Sequence, residues 1–294
     1  MTLDGPHVLR RVSVGLVIVA AMVTAPVALA PASSATARES RAPDRPLRVA
    51  TFNISHGAGL DGVVDLERIA RVVEETGADV VGLQEVDRHF HVRSNFVDQA
   101  SWLARRLRMD VAFGANLDED PLTPGAPRRQ YGTAVLSRHH IHSSTNTLLP
   151  RPEGGEQRGL LEVRVAVRGV PVTVFSTHLQ HDSQVERLAQ VEAIRAHLVG
   201  VEDSVVILGD LNARPEAPEI VALTDDLVDA WAAAGTGPGY TFDASTPHAR
   251  IDYVLSSDDV VTHMAAVVTT DASDHLPVVV DLALPGAKVG VRRP

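Results

Sequence analysis

At 294 residues, 45% apolar and 22% charged, the chain falls among ordinary globular proteins with enough length for a sizeable core. It has no cysteine, which excludes disulfides, lipid attachment through a cysteine and thiolate metal ligands, so any metal must sit on oxygen or imidazole. Its formal charge of −10 makes its surface a poor long-range trap for nucleic acid.

The N-terminus comes first. Arg10 and Arg11 precede an uncharged stretch, residues 12–25, rich in Val, Ala, Leu and Ile, followed by small residues and Ala35-Thr36-Ala37. This pattern predicts a signal peptide over residues 1–37, cut near Ala37, and hence a secreted protein. The alternative is an uncleaved membrane anchor, although the apolar run is shorter than the roughly 20 residues a spanning helix needs. Neither a Ser before the arginine pair nor a Phe-Leu after it supports twin-arginine export, and the export route stays open. Cleavage would remove Asp4, Arg10 and Arg11 and take the formal charge from −10 to −11. Residues 38–46 lack periodicity and read as a flexible leader. A single folded domain is expected over residues 47–284, with no linker or repeat inside it, followed by a C-terminal tail over 285–294.

Within that domain, Asp65 is placed to cap a helix whose Leu66, Ile69, Ala70 and Val73 share one face. Ser183 and Glu186 form the S-x-x-E capping pattern of another, expected to bury Val185, Leu188, Val191, Ile194 and Leu198. Strands are predicted over residues 48–54, 80–83, 133–136, 160–167, 172–176, 205–208, 251–255 and 277–282. Mixed strands and helices imply layered α and β structure.

Polar residues recur at the ends of these strands. Asn53 closes the first, and Glu85, His178 and Asp210 each follow an apolar run at its C-terminal side. Strands running the other way would bring their starts to the same edge, where Asp252 begins residues 251–255 and Asp274 and His275 precede residues 277–282. A rim of carboxylates, imidazoles and amides is expected. Oxygen ligands without cysteine suit a hard ion, Mg²⁺ or Mn²⁺, which commonly binds through one or two carboxylates plus substrate phosphate. Beside such an ion, an imidazole or carboxylate can activate water and a second group can protonate the leaving oxygen, the parts that phosphoester hydrolysis needs.

The segments Thr51-Phe52-Asn53-Ile54, Leu83-Gln84-Glu85-Val86-Asp87, Ser176-Thr177-His178-Leu179, Gly209-Asp210-Leu211-Asn212, Arg250-Ile251-Asp252-Tyr253 and Ser273-Asp274-His275-Leu276-Pro277 resemble, in this order, those of the endonuclease/exonuclease/phosphatase family. The resemblance implies an α/β (α+β) fold, a four-layer αββα sandwich with two packed mixed β-sheets and the site at one rim. It implies Glu85 as the principal metal ligand, Asn53 close to metal and phosphate, and Asp274 on a second ion. Asp210 would orient or deprotonate water, and Asn212 would hydrogen-bond a phosphate oxygen. His275, oriented by Asp252, would contact phosphate or serve as base, and His178 would bond a phosphate oxygen or assist the leaving group. The choice of base between Asp210 and His275 stays open.

Other candidates lie outside these segments. His56, near the end of the first strand, is a candidate substrate contact, and His181 and Asp182 sit in the loop after His178. Arg158 and Arg129 have the fork geometry that suits phosphate, although surface ion pairs explain them almost as well. His139, His140 and His142 resemble a metal tract but lack an acidic partner in sequence. For the substrate, a 4% aromatic content offers little for a membrane-inserting aromatic hairpin, and no Lys/Arg block suggests a DNA-tracking groove. A small phosphodiester or lipid headgroup is favoured, acted on by a monomer with contact to membrane headgroups. A secreted nuclease and a non-catalytic binding module on the same fold are the alternatives.

Overall fold

The computed structural model describes residues 44–152 and 154–286; the expected signal peptide, most of the leader and most of the tail lie outside them. In chain order the elements are β1 (Arg45–Asn53), α1 (Leu66–Thr76), β2 (Val80–Arg88), α2 (Gln99–Leu107), β3 (Asp110–Glu119), β4 (Arg129–Ser137), β5 (Ile141–Leu148), β6 (Gly159–Val167), β7 (Val170–His178) and α3 (Gln184–Leu198). They continue with β8 (Ser204–Asp210), α4 (Pro218–Thr224), β9 (Val228–Asp229), α5 (Ala230–Ala234), β10 (Asp252–Ser256), β11 (Val261–Val267) and β12 (Val278–Leu284).

Alternation along the inner strands builds the layers. In β1, Leu47 and Val49 face a core shared with Val206 and Leu208 of β8 and Val172 and Val174 of β7. The intervening Ala50 and Phe52 face Ile69, Val73 and Leu103 of α1 and α2. On β8, Val205 and Ile207 likewise face Val191, Ile194 and Ile220 of α3 and α4. These central strands are apolar on both faces because each face meets another layer. The result is the four-layer αββα sandwich: one mixed sheet of order β11-β12-β1-β2-β4-β3, the other of order β5-β6-β7-β8-β10-β9.

The parallel pairs β1/β2 and β7/β8 point their C-terminal ends to one rim. The antiparallel partners β12 and β10 begin there, with Asp252 opposite Asp210 in the β10/β8 ladder.

Three expectations need correction. The first strand starts at Arg45, not after residue 46, since Arg45 and Pro46 pair with Leu284 and Ala283. Four strands, β3, β5, β9 and β11, were not anticipated. In α3, Val185 and Leu188 are 57% and 40% exposed, while Glu186 and Gln190 are fully buried beside Val191 and Ile194. The buried polar pair serves backbone groups: Glu186 accepts from Gly155 N at 3.0 Å, and Gln190 accepts from Gln180 N at 3.0 Å and donates to the Pro150 carbonyl at 3.3 Å. Leaving such groups unpaired inside the protein costs more than exposing two aliphatic side chains. The capping expectations hold: Asp65 accepts from Glu67 N and Arg68 N, and Ser183 accepts from Glu186 N.

Candidate active site

Several polar groups at the rim are aimed by local irregularities, while His178, Asp210 and Asp252 sit in regular ladders. Gln84 keeps the sheet alternation, bridging Thr51 and Ser176 between the two sheets. The next residue, Glu85, has φ 58°, and the β2/β4 register shifts between Leu83 and Val86. This bulge turns the Glu85 carboxylate to the half-buried rim, a use bulges often have beside active sites. Asp210 accepts from Asn212 N through Oδ1 at 3.0 Å, closing a turn that holds Asn212 at φ 49°. Ser273, fully buried, donates to the Asn53 carbonyl at 2.8 Å and accepts from His275 N at 3.2 Å, so the start of β12 is tied to the end of β1. Thr241 Oγ1 accepts from Asp252 N at 3.3 Å, and the Phe242 ring lies 4.8 Å from that of His275. Ser273 lies in one of the segments that carry the resemblance, whereas Thr241 and Phe242 carry no sequence signal of their own, because their partners come from distant positions.

Asp210 is the hub. Its Oδ2 lies 3.0 Å from Asn53 Nδ2, 3.4 Å from His178 Nε2 and 3.6 Å from His275 Nε2. The same Asn53 nitrogen donates to Glu85 Oε1 at 3.1 Å, while Asn53 Oδ1 accepts from Ser55 N. The amide nitrogen of Asn53, not its oxygen, thus faces the carboxylates and holds two of them at a fixed spacing. His275 Nδ1 is 2.9 Å from Asp252 Oδ2, and Asp252 Oδ1 is buried without a partner.

Burial, and then the neighbouring Asp252 charge, push the Asp210 carboxyl up to about 7. Burial works against a charged His275, but Asp252 and Asp210 outweigh it and raise this ring to about 10. His275 is therefore a cation at neutral pH and a donor, which leaves Asp210 as the group able to take a proton. His178 is held well below its ordinary value by burial first, then by Arg158, His275 and His181; it is neutral.

Arg158, only 3% exposed, sits behind His178 and bonds Glu156 at 2.8 Å, His178 Nδ1 at 3.1 Å and Gln180 Oε1 at 3.2 Å. Asn212 Nδ2, which donates to the Leu179 carbonyl at 3.0 Å, also lies 2.9 Å from His178 Nε2. A neutral imidazole accepts at one nitrogen only. The guanidinium, charged and unable to accept, takes Nδ1, so the ring proton sits on Nε2 facing Asp210, and the Asn212 amide, a donor spent on the Leu179 carbonyl, makes no hydrogen bond to that nitrogen.

The other candidates divide. His56 lies beside the rim, its Nδ1 buried without a partner and its ring lowered by burial and Arg93. His181 is mostly exposed, 3.5 Å from Arg158. Arg129 is spent on Glu119 and the Asp120 carbonyl. His140 does have an acidic partner, Asp110, at 2.9 Å, supplied by the unanticipated β3, but the pair is exposed.

The donor set fits a hard cation. Glu85 and Asp274, both half-buried, enter no ion pair among the described residues. Asp210, Asp252 and His275 also bring ligand-type atoms within 4.8 Å of one another, but the protonated His275 has no lone pair for an ion, so Glu85 and Asp274 are the groups that would hold one. Glu85 and Asp274 are thus the rim carboxylates without a cation of their own, whereas Asp210 and Asp252 share His275.

Residues 50–275 match the Endonuclease/Exonuclease/phosphatase family. A solved endonuclease/exonuclease/phosphatase from Beutenbergia cavernae is 32% identical, covering 84% of this chain and 73% of that one with a TM-score of 0.71. The mannosyl-6-phosphatase of Bacteroides thetaiotaomicron, 19% identical, covers 80% of this chain and 99% of its own at a TM-score of 0.66, a likeness of fold. Protein cwh43 of Schizosaccharomyces pombe is 32% identical over 124 residues, which are 42% of this chain and 12% of that protein.

Proposed function

The chain belongs to the endonuclease/exonuclease/phosphatase family, whose members hydrolyse phosphoester bonds, and we propose that it is a divalent-metal-dependent phosphodiesterase acting on a small phosphodiester or lipid headgroup. The observation that carries this is the Asp210 carboxylate, buried and raised to about 7, with both imidazole Nε2 atoms and the Asn53 amide around it. Such a carboxylate is poised to accept a proton from water near neutral pH.

Each residue then has a task. Asp210 orients a water and takes its proton. The neutral His178 donates through Nε2 to a phosphate oxygen, joined by the Asn212 amide. The cationic His275, kept charged by Asp252, stabilises negative charge gathering on the phosphate. Arg158 acts behind His178 rather than on the phosphate. Glu85, with Asp274 beside the rim, would hold Mg²⁺ or Mn²⁺, and Asn53 fixes the position of Glu85. When bound, that ion supplies Lewis-acid charge to the phosphate oxygens.

Charge favours the small substrate. The chain is formally −10, and the rim arginines Arg68, Arg88, Arg93 and Arg128 are each matched to an aspartate. These cations are not free to track a polyanion. The same proposal has residues 1–37 removed on export, which N-terminal sequencing of secreted protein tests. A chromogenic phosphodiester, assayed with Mg²⁺, with Mn²⁺ and with chelator, tests the reaction: metal-dependent turnover is expected, and turnover unaffected by chelation would overturn it.

A further inference from the structure

The rim carries a second concavity that the phosphoester chemistry does not use. It lies between the loop after β2 and the turn joining β3 to β4, a pocket of about 380 Å³ lined by His89, Phe96, Leu122, Ala126, Pro127 and Arg129 among others. That size is within the range of sites for small organic groups.

Both walls extend strands that carry the site. His89 follows Glu85 by four residues, so at ~3.3 Å per residue its backbone lies about 13 Å along the chain from that of Glu85. On the facing strand, Arg129 precedes Tyr131 by two, and Tyr131 is kept protonated by burial and by the field of Glu85. A substrate whose phosphate lies at Asp210 meets this pocket through an ester group long enough to pass Glu85, which Asn53 joins to Asp210.

The pocket offers hydrocarbon rather than charge. Phe96, Leu122, Ala126 and Pro127 are apolar, and Leu122 remains 65% exposed. Arg129 is matched by Glu119, and its neighbour Arg128 by Asp118 at 2.6 Å and Asp120 at 2.8 Å. On the other wall, Arg93 is held by Asp87 at 2.8 Å, and His89 Nδ1 bonds the Phe96 carbonyl at 2.8 Å. Each cation near the pocket is thus already compensated, so a second phosphate, a nucleotide or an acidic peptide finds no free charge. His89 and Phe96 both sit at φ 54°, a region bulky side chains avoid, and their mutual hydrogen bond helps hold them there.

We propose that this pocket binds the hydrocarbon part of the phosphoester substrate, the apolar group carried on an ester oxygen, while the phosphate is held at His178, Asp210 and His275. The proposal rests on the phosphoesterase reading and deepens it.

Two measurements test it. One is kcat/KM for n-alkyl p-nitrophenyl phosphates from methyl to hexadecyl, below their aggregation concentrations. The other is calorimetric binding of n-alkylphosphonates of the same lengths, which needs no turnover. Both should improve by about fourfold per methylene once the chain reaches the pocket and until it is full, the scale of burying a CH₂ group. Ala126→Trp, which fills the pocket from an exposed turn, and Leu122→Ser should flatten both series and leave methyl-ester turnover unchanged. Presenting the longer esters in phosphatidylcholine vesicles separates the sources: faster turnover than on monomers points to a bilayer lipid, equal or slower turnover to a soluble ester. Flat series for the wild type, or series that Ala126→Trp leaves intact, would overturn the pocket assignment. Loss of all turnover with length-dependent phosphonate binding retained would instead strike the phosphoesterase reading and uphold the pocket.

Discussion

A guanidinium nitrogen of Arg158 lies 3.1 Å from Nδ1 of His178, which fixes the ring as an acceptor on that side and a donor at Nε2. Ring ¹⁵N chemical shifts should therefore show His178 neutral and protonated at Nε2. In Arg158→Met the tautomers should mix, the ring pKa should climb back toward its ordinary value, and turnover should fall by about tenfold or more, the usual scale for losing such a supporting bond. A wild-type ring protonated at Nδ1 would refute the assignment.

His178→Ala and His275→Ala should each lower kcat by about a hundredfold or more, the scale for losing a positioned donor. Thermal unfolding should remain cooperative. Asp252→Asn should reproduce part of the His275 loss, because an amide stabilises an imidazolium less well. Near-normal turnover in both histidine variants would mean the site lies elsewhere.

Asp210 has a folded-state pKa raised to about 7 from an ordinary 3.8, so the fold favours its protonated form. Its contribution to stability is present below pH of about 4 and lost as pH rises through about 7. In metal-free protein, the Tm of Asp210→Asn should thus gain on the wild type between these values, while its turnover is lost. A Tm difference independent of pH would remove this assignment. Wild-type turnover should rise with pH through one ionisation at or below about 7, because a bound cation would lower the carboxyl further.

Mg²⁺ or Mn²⁺ should raise Tm, by about 2.7 kcal/mol of stabilisation at a hundred times Kd. Glu85→Ala should abolish most of that shift with little change in metal-free Tm, since its carboxylate is half-buried and makes one hydrogen bond, to Asn53. Metal affinity unchanged in Glu85→Ala would relocate the ion.

KM for the best substrate should depend weakly on salt, because binding uses one or two phosphates rather than a long backbone. Each phosphate neutralised on a duplex would contribute a slope of about 0.9 in log–log terms. A slope equivalent to five or more contacts, on duplex DNA, would restore the nuclease reading.

Much of this molecule was legible from residue order alone, and the boundary of legibility is physical. All eight strands visible in the sequence are inner strands, each with at least one continuous apolar face against the core between the sheets or under the helices. The four that escaped, β3, β5, β9 and β11, are the four sheet edges. Edge β5, Ile141–Leu148, is mostly Ser, Thr, Asn and His, the polar character that keeps an edge from recruiting another strand. The α3 error has a similar origin: Val185 and Leu188 look like a buried face, but Glu186 and Gln190 were needed inward to pair the backbone at Gly155, Pro150 and Gln180.

The site divides along the same line. Strand-end position alone marked Asn53, Glu85, His178, Asp210, Asp252 and His275, because the parity of a strand and the direction of its neighbours determine which ends meet. The protonation states were decided only by tertiary structure. Whether Asp210 is a base, His275 a cation and His178 a neutral donor depends on burial and on charges brought from other strands. Arg158 reaches His178 from twenty residues away, a distance over which the chain's order fixes nothing and the β6/β7 ladder fixes everything.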